Sequence, residues 1–330
     1  MLPLGVFALA ASLALLVVLV IALPRGGVTA DPSSSPAARP TLTAAPSPTA
    51  SPAAIITPMV SPSPGLAAVL VGAGDIGDCA RDDDSQTAAL LDGIEGTVFT
   101  AGDNAYEDGT PEQFATCYDE TWGRHLDRTR PAPGNHDWHD DLGGYFGYFG
   151  DRGRGPDGGS WYSYDLGSWH VIMLDSECDD AGGCEPDSEQ GRWLATDLEA
   201  SSGTACTVAI WHKPRFSSGM HGNDPSVGPL WTALYASGAD LVVNGHDHDY
   251  ERFAPQTPDA HADLERGIRQ FVAGTGGTNL RRFDEIRAHS EFRDAESHGV
   301  LKLTLRPTDY DWEFIAVGGD VVDRGTDECH

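Results

Sequence analysis

Short apolar runs recur along the chain from residue 67, and most of them stop at a polar turn. Ala67 to Ala73 ends at Gly74-Asp75, Thr97 to Ala101 at Gly102-Asp103, Cys206 to Trp211 at His212, Ala239 to Val243 just before Gly245-His246, and Gln270 to Ala273 at Gly274. Runs this short and this apolar read as buried strands. Between them, Ser85 to Ile94, Thr110 to about Leu126, Glu189 to Ala200 and Pro229 to Ala236 carry helical spacing or helix-start chemistry, with Thr110 as N-cap and Pro111 at the first helical position. Trp161 to Tyr164 and His170 to Leu174 flank Asp165-Leu166-Gly167-Ser168 as a hairpin, and Val300 to Leu305 with Asp311 to Val317 form a second one around Arg306 to Asp309. Residues 143–160, rich in Gly, Tyr and Phe, read as an irregular loop. Strands alternating with helices, followed by hairpins, predict an α/β fold with mixed sheets.

The first part of the chain has another character. Leu2 to Leu23 is apolar and uncharged, long enough to cross a bilayer, and Val28-Thr29-Ala30 suits a small-residue cleavage site. Residues 1–30 therefore read as a signal peptide or membrane anchor. No Lys or Arg precedes the run, so its orientation is open. Residues 31–64 are rich in Pro, Ser, Thr and Ala and bury too little to fold, as an extended, disordered linker does. Residues 65–330 remain as one catalytic-sized domain or two small ones. The expected location is extracytoplasmic, either secreted or tethered to the cell surface if the segment stays uncleaved.

Charge and cysteines narrow the partners. A net charge of −29, from 50 acidic and 21 basic residues, argues against nucleic acid. The six cysteines contain no Cys-x-x-Cys pair, and an even count behind an export-like segment points to disulfides. Cys178 and Cys184 bracket a short loop and are expected to pair. Cys79 with Cys117 and Cys206 with Cys329 is one choice among the connectivities that remain.

The polar turns hold the candidate chemistry: Asp75, Asp103, Tyr106, Asn135, His212, His246 and His248. Each alone has a plain explanation, such as a turn-capping Asp, a half-buried Tyr or a core His. Placed together at the carboxyl ends of strands, where open α/β sheets bind ligands, they suit a metal site. His246 and His248 leave their strand on what reads as an exposed turn.

In their order, Gly74-Asp75-Ile76-Gly77, Gly102 to Tyr106, Gly134-Asn135-His136-Asp137, the lone His212 and Gly245 to Arg252 resemble the motifs of the calcineurin-like metallophosphoesterases. Tyr106, and a first motif without Asp-x-His, are similar to the purple acid phosphatase branch. The resemblance runs from about Leu70 to Arg252 and implies a four-layer αββα sandwich of two mixed β-sheets flanked by helices, holding two metal ions. It implies that Asp103 bridges the metals, that Asp75, Tyr106 and His248 complete one site, and that Asn135, His212 and His246 complete the other. His136, and His221 nine positions after His212, would be the non-ligand histidines facing substrate.

A phenolate at neutral pH needs a strong Lewis acid, so Fe(III) fits the tyrosine side and a divalent Fe, Zn or Mn the other. The expected activity is that of an acid phosphatase: hydrolysis of small phosphate monoesters by in-line attack of a metal-held hydroxide. The alternatives are a phosphodiesterase or nucleotidase on the same metals, and a surface-anchored binding protein with a structural metal site.

Overall fold

The computed structural model describes residues 67–330. The expected leader and linker lie outside the described residues.

Two large mixed sheets form the frame. The first, of six strands, has the spatial order Val321–Glu328, Asp309–Ala316, Gly299–Leu305, Ala68–Ala73, Thr97–Ala101, Thr129–Ala132. The second, of seven, runs Ser290–Asp294, Tyr250–Phe253, Arg269–Ala273, Leu241–Asn244, Cys206–Ile210, Trp169–Met173, Tyr162–Leu166. Ala68–Ala73, Thr97–Ala101 and Thr129–Ala132 are mutually parallel, as are Trp169–Met173, Cys206–Ile210, Leu241–Asn244 and Arg269–Ala273. The hairpin strands join antiparallel.

The four layers follow from the period-two alternation of a strand apolar on both faces. Leu70, Phe99, Leu301, Leu303 and Trp312 of the first sheet meet Val171, Val208, Leu241, Val243 and Phe271 of the second in one central core. The alternate positions point outward. Val71, Ala73 and Val98 pack under Ala88 and Leu91 of the helix Asp83–Asp92. Ile172, Ala209 and Val242 pack under Leu194 of Glu189–Ala200 and Leu230, Trp231 and Leu234 of Gly228–Ser237. Each fully buried Leu, Val or Phe adds roughly 1.5–3 kcal/mol relative to exposure. The α/β sandwich anticipated from the sequence is the one observed.

Several local expectations need correction. Gly143–Phe149 is helical, not irregular, because Tyr145 and Phe149 seat against Phe114 and Tyr118 under the first sheet. The long helix expected after Thr110 is broken into Pro111–Gln113, a wide π turn at Phe114–Tyr118 and a tight 3-10 segment at Trp122–Arg128. Tyr250–Phe253 is a strand rather than a turn, with Tyr250 stacked on Phe314 at 4.1 Å. Three pairs of cysteines are bonded, Cys79–Cys117, Cys178–Cys184 and Cys206–Cys329.

Candidate metal centre

The parallel strands of both sheets deliver the polar turns to one end of the sandwich. Asp75 follows Ala73, Asp103 follows Ala101, Asn135 follows the strand ending at Ala132, His212 follows Ile210, and His246 and His248 follow Asn244. Asp75, Asp103 and His246 have φ values of 62°, 49° and 72°, the left-handed region that non-glycine residues seldom enter. Such strain persists where surrounding contacts overdetermine it, and it concentrates at functional sites. Glycine is needed close by for space. A Cβ on Gly134 would lie 2.3 Å from Asp103 Oδ1, and one on Gly245 would lie 2.5 Å from Asp75 Oδ2.

The side chains form two groups that share one atom. In the first, the Tyr106 hydroxyl donates to Asp75 Oδ1 at 2.8 Å and to Asp103 Oδ2 at 3.1 Å. His248 Nε2 lies 3.4 Å from both that hydroxyl and Asp75 Oδ1. In the second, His212 Nε2 is 3.1 Å from the same Asp103 Oδ2 and 3.1 Å from His246 Nδ1. Asp103, His212 and His246 offer donor atoms within 4.8 Å of one another. Asn135 Oδ1 is buried with no hydrogen-bond partner among the described residues. All seven sequence-predicted ligands thus belong to one end of the fold. Contrary to the exposed turn expected for the two histidines, His248 is buried and His246 half-buried, because the second sheet continues through Tyr250.

Outer contacts aim the inner atoms. Nδ1 of His212 bonds the Ala101 carbonyl and Nδ1 of His248 the Asn279 carbonyl, both at 2.8 Å, which turns each Nε2 inward. A fixed outer hydrogen bond of this kind is how metal-binding imidazoles are oriented. The Asp75 carboxylate also accepts from the His246 backbone N–H, and Asp103 from that of His136, each at 2.8 Å.

Electrostatics point the same way. Burial first, then the Asp103 and Asp75 charges, hold the Tyr106 hydroxyl well above its ordinary value. Burial would raise the Asp103 carboxyl, but the His212, His136 and His246 imidazoles hold it far below the carboxylate range. Burial opposes charging His212, yet Asp103 pushes it up to about 10. Burial and the neighbouring His212 and His221 keep His246 well below the usual imidazole value. Hard oxygen donors, imidazoles and an orphaned amide oxygen make a donor set that fits metal ions.

Two histidines stand beside this cluster without joining it. His136 is half-buried, with Nδ1 on the Glu107 carbonyl and Nε2 3.9 Å from Asp103 Oδ2. The His221 ring lies tilted against His246, with centroids 4.3 Å apart. Two carboxylates that sequence reading passed over hold the loops in place. Asp137 accepts from the Gly134 and Asn104 backbone N–H groups and the Asn104 amide; burial, then the Asp103 charge, push it up to about 7. Asp247 accepts from Ser217 and from the His221 and Gly222 N–H groups. Both lie inside the quoted motifs, Asp137 next to His136 and Asp247 between His246 and His248, and that adjacency is the signal that marks them. The remaining Cys-Asp-Cys cluster, at Cys206, Asp240 and Cys329, has its sulfurs in a disulfide and is no ligand set.

Residues 69–250 match the model of the calcineurin-like phosphoesterase family. The chain belongs to that family. Among its relatives, purple acid phosphatase 18 of Arabidopsis thaliana is 30% identical over 159 residues, 45% of this chain and 35% of the plant protein. An uncharacterized Mycobacterium tuberculosis protein is 33% identical over 187 residues, again 45% and 35% of the two chains. The chain therefore spans about a third of the length of the curated relatives it matches. Purple acid phosphatase PPD1 from yellow lupin seeds superposes with a TM-score of 0.63 at 20% identity, over 81% of this chain and 55% of the lupin chain. GAP50, an inner membrane complex anchor of Plasmodium, superposes at 0.64 with 14% identity, over 80% and 90%. Both superpositions are likenesses of fold.

Proposed function

We propose that this calcineurin-like phosphoesterase hydrolyses small phosphate monoesters outside the cytoplasm, as an acid phosphatase. The observation that carries the reading is the position of Asp103 Oδ2, within 3.1 Å of both Tyr106 on one side and His212 on the other. Asp75, Tyr106, His248 and Asp103 would hold one metal ion, and Asp103, Asn135, His212 and His246 the second. Burial and two carboxylates hold the Tyr106 hydroxyl above its ordinary value, so phenolate ligation would call for a strong Lewis acid such as Fe(III) on its side, with a divalent Fe, Zn or Mn opposite. When bound, such a pair supplies Lewis acidity that polarises a phosphoryl group and lowers the pKa of a water.

The chain's own groups supply the rest. His136 and His221 hold N–H donors for phosphoryl oxygens or the departing alkoxide. Asp137 fixes the turn that presents Asn135 and His136, and Asp247 fixes the one that presents His221. Two histidines that touch no other ligand-bearing carboxylate as closely as His212 does are superfluous in a purely structural metal site, which weighs against a binding protein. Three disulfides support an oxidising compartment, with residues 1–30 as leader or anchor and 31–64 as spacer. The purified full chain, assayed for metal content and for phosphatase activity across pH, is expected to contain about two metals per chain and to prefer aryl monoesters. Preference for diesters would favour the phosphodiesterase reading, and metal without turnover the structural one.

A further inference from the structure

Loop 274–289 belongs to none of the five motifs, yet it is stitched to the candidate centre. Thr278 N–H donates to the Asp75 carbonyl at 3.0 Å and Arg281 N–H to the His248 carbonyl at 2.8 Å. The Asn279 carbonyl takes His248 Nδ1, and Asp284 N–H donates to the Ser218 carbonyl at 2.8 Å. Arg287 completes the seam through Ser217 and Ser218. Arg281, a half-buried residue, is thereby fixed beside one predicted ligand, and its guanidinium contacts Nε2 of His221. Among the described residues no carboxylate lies within ion-pair distance of it, in a chain with 50 acidic residues and 21 basic ones. Six of the described arginines, Arg252, Arg269 and Arg306 among them, are paired with acids, and Arg281 is one of those whose charge is not met by a carboxylate.

A guanidinium has five N–H donors, no acceptor and a permanent charge. Its contact with His221 therefore uses a lone pair on Nε2, which assigns a neutral ring with its proton on Nδ1. When a phosphoryl oxygen takes the guanidinium, Nε2 is released and can carry the proton that His221 would donate. A phosphoryl oxygen is a better acceptor for Arg281 than a neutral imidazole, because charge-assisted and bidentate hydrogen bonds are the stronger ones. His221 lies against His246, so the freed guanidinium stays at the rim of the cluster.

We infer that Arg281 is the specificity-determining residue of this site, reading the second negative charge of a phosphate monoester dianion and so favouring monoesters over singly charged diesters. The inference rests on the phosphomonoesterase reading and deepens it. Arg281→Gln and Arg281→Lys, made in the full metal-loaded chain, test it. Turnover is read on 4-nitrophenyl phosphate and on bis(4-nitrophenyl) phosphate, inorganic phosphate binding by calorimetry, and metal content by elemental analysis. In Arg281→Gln, kcat/KM for the monoester and phosphate affinity are both expected to fall roughly ten- to hundredfold, the worth of a hydrogen bond to a charged group. The diester should change by less than about threefold, metal content should hold, and Lys should recover part of the loss through its point charge. Equal losses on the two esters, or unchanged phosphate affinity, overturn the inference. If the wild-type chain cleaves only diesters, the monoesterase reading fails. The phosphate titration still decides Arg281, since a weaker affinity in the Gln variant keeps its role in reading charge and an unchanged one removes it.

Discussion

Asp247→Asn isolates the device that presents His221. The carboxylate is fully buried and takes Ser217 Oγ at 2.5 Å and Gly222 N–H at 3.2 Å on Oδ2, with His221 N–H at 2.8 Å on Oδ1. An amide of the same shape keeps one acceptor oxygen. If that oxygen serves His221, the Gly222 N–H faces an NH2 group and loses its acceptor, while the Ser217 hydroxyl can rotate to accept. An orphaned buried donor costs roughly 1–3 kcal/mol. The penalty falls on the seated loop 217–222 and not on the sheets, so it lowers the population with His221 in place. At about 1.4 kcal/mol per tenfold, kcat should fall by roughly ten- to hundredfold, with metal content unchanged. Asp247→Ala orphans every donor and should cost about 3–5 kcal/mol, visible as a lowered unfolding midpoint. Steady-state kinetics on an aryl phosphate, elemental analysis and thermal denaturation measure all three quantities. A fully metallated Asp247→Asn enzyme with kcat within about twofold of wild type would refute the role given to either Asp247 or His221.

Three further outcomes are expected. Cys206–Cys329 spans a separation of 123 residues and Cys178–Cys184 one of 6, so replacing each pair by serines should cost about 5 and about 2 kcal/mol in denaturant titrations; equal losses would contradict the chain-entropy account. Asp84, buried beneath loop 274–278 and bonded to Thr121, has its carboxyl pushed up to about 6, chiefly by burial. Such a group holds its proton in the fold, so stability is lost as pH rises from about 4 through 6. Asp84→Asn should therefore stabilise the protein at pH 8 by at most about 3 kcal/mol, with the gain vanishing towards pH 4, and a pH-independent difference would sink this. With Fe(III) bound, the wild type should absorb visible light through phenolate-to-iron charge transfer and Tyr106→Phe should not; retention of the band in that variant would exclude Tyr106 as the ligand.

The central strands were legible because burial on both faces leaves them continuously apolar, as in Leu70–Ala73 or Leu241–Val243. So were the candidate ligand turns at Asp75, Asp103, His212 and His246, since each begins where such a run stops, whereas the turn at Asn135 follows Thr129–Ala132, which shows no such run. Three of the four sheet edges were not, the exception being Tyr162–Leu166 in its expected hairpin. Thr129–Ala132, Ser290–Asp294 and Val321–Glu328 carry Arg, Glu or Asp on a solvent face, and Pro131 sits where an edge strand tolerates a missing donor. Gly143–Phe149 hid its helix because three glycines oppose one, and only tertiary packing of its aromatic rings forms it. The contact of Arg281 with His221 joins residues 60 apart through two loops, and no local pattern encodes it.

The division of the donor atoms between the sheets has a thermodynamic corollary. Asp75, Asp103, Tyr106 and Asn135 come from one slab of the sandwich, and His212, His246 and His248 from the other. Any ion bound across them acts as a rivet, because prising the slabs apart means surrendering it. Its affinity is then convertible into resistance to unfolding. Removing such an ion by chelation should soften the whole molecule, and a nascent chain should capture one only after His248 has been made and the two slabs have closed.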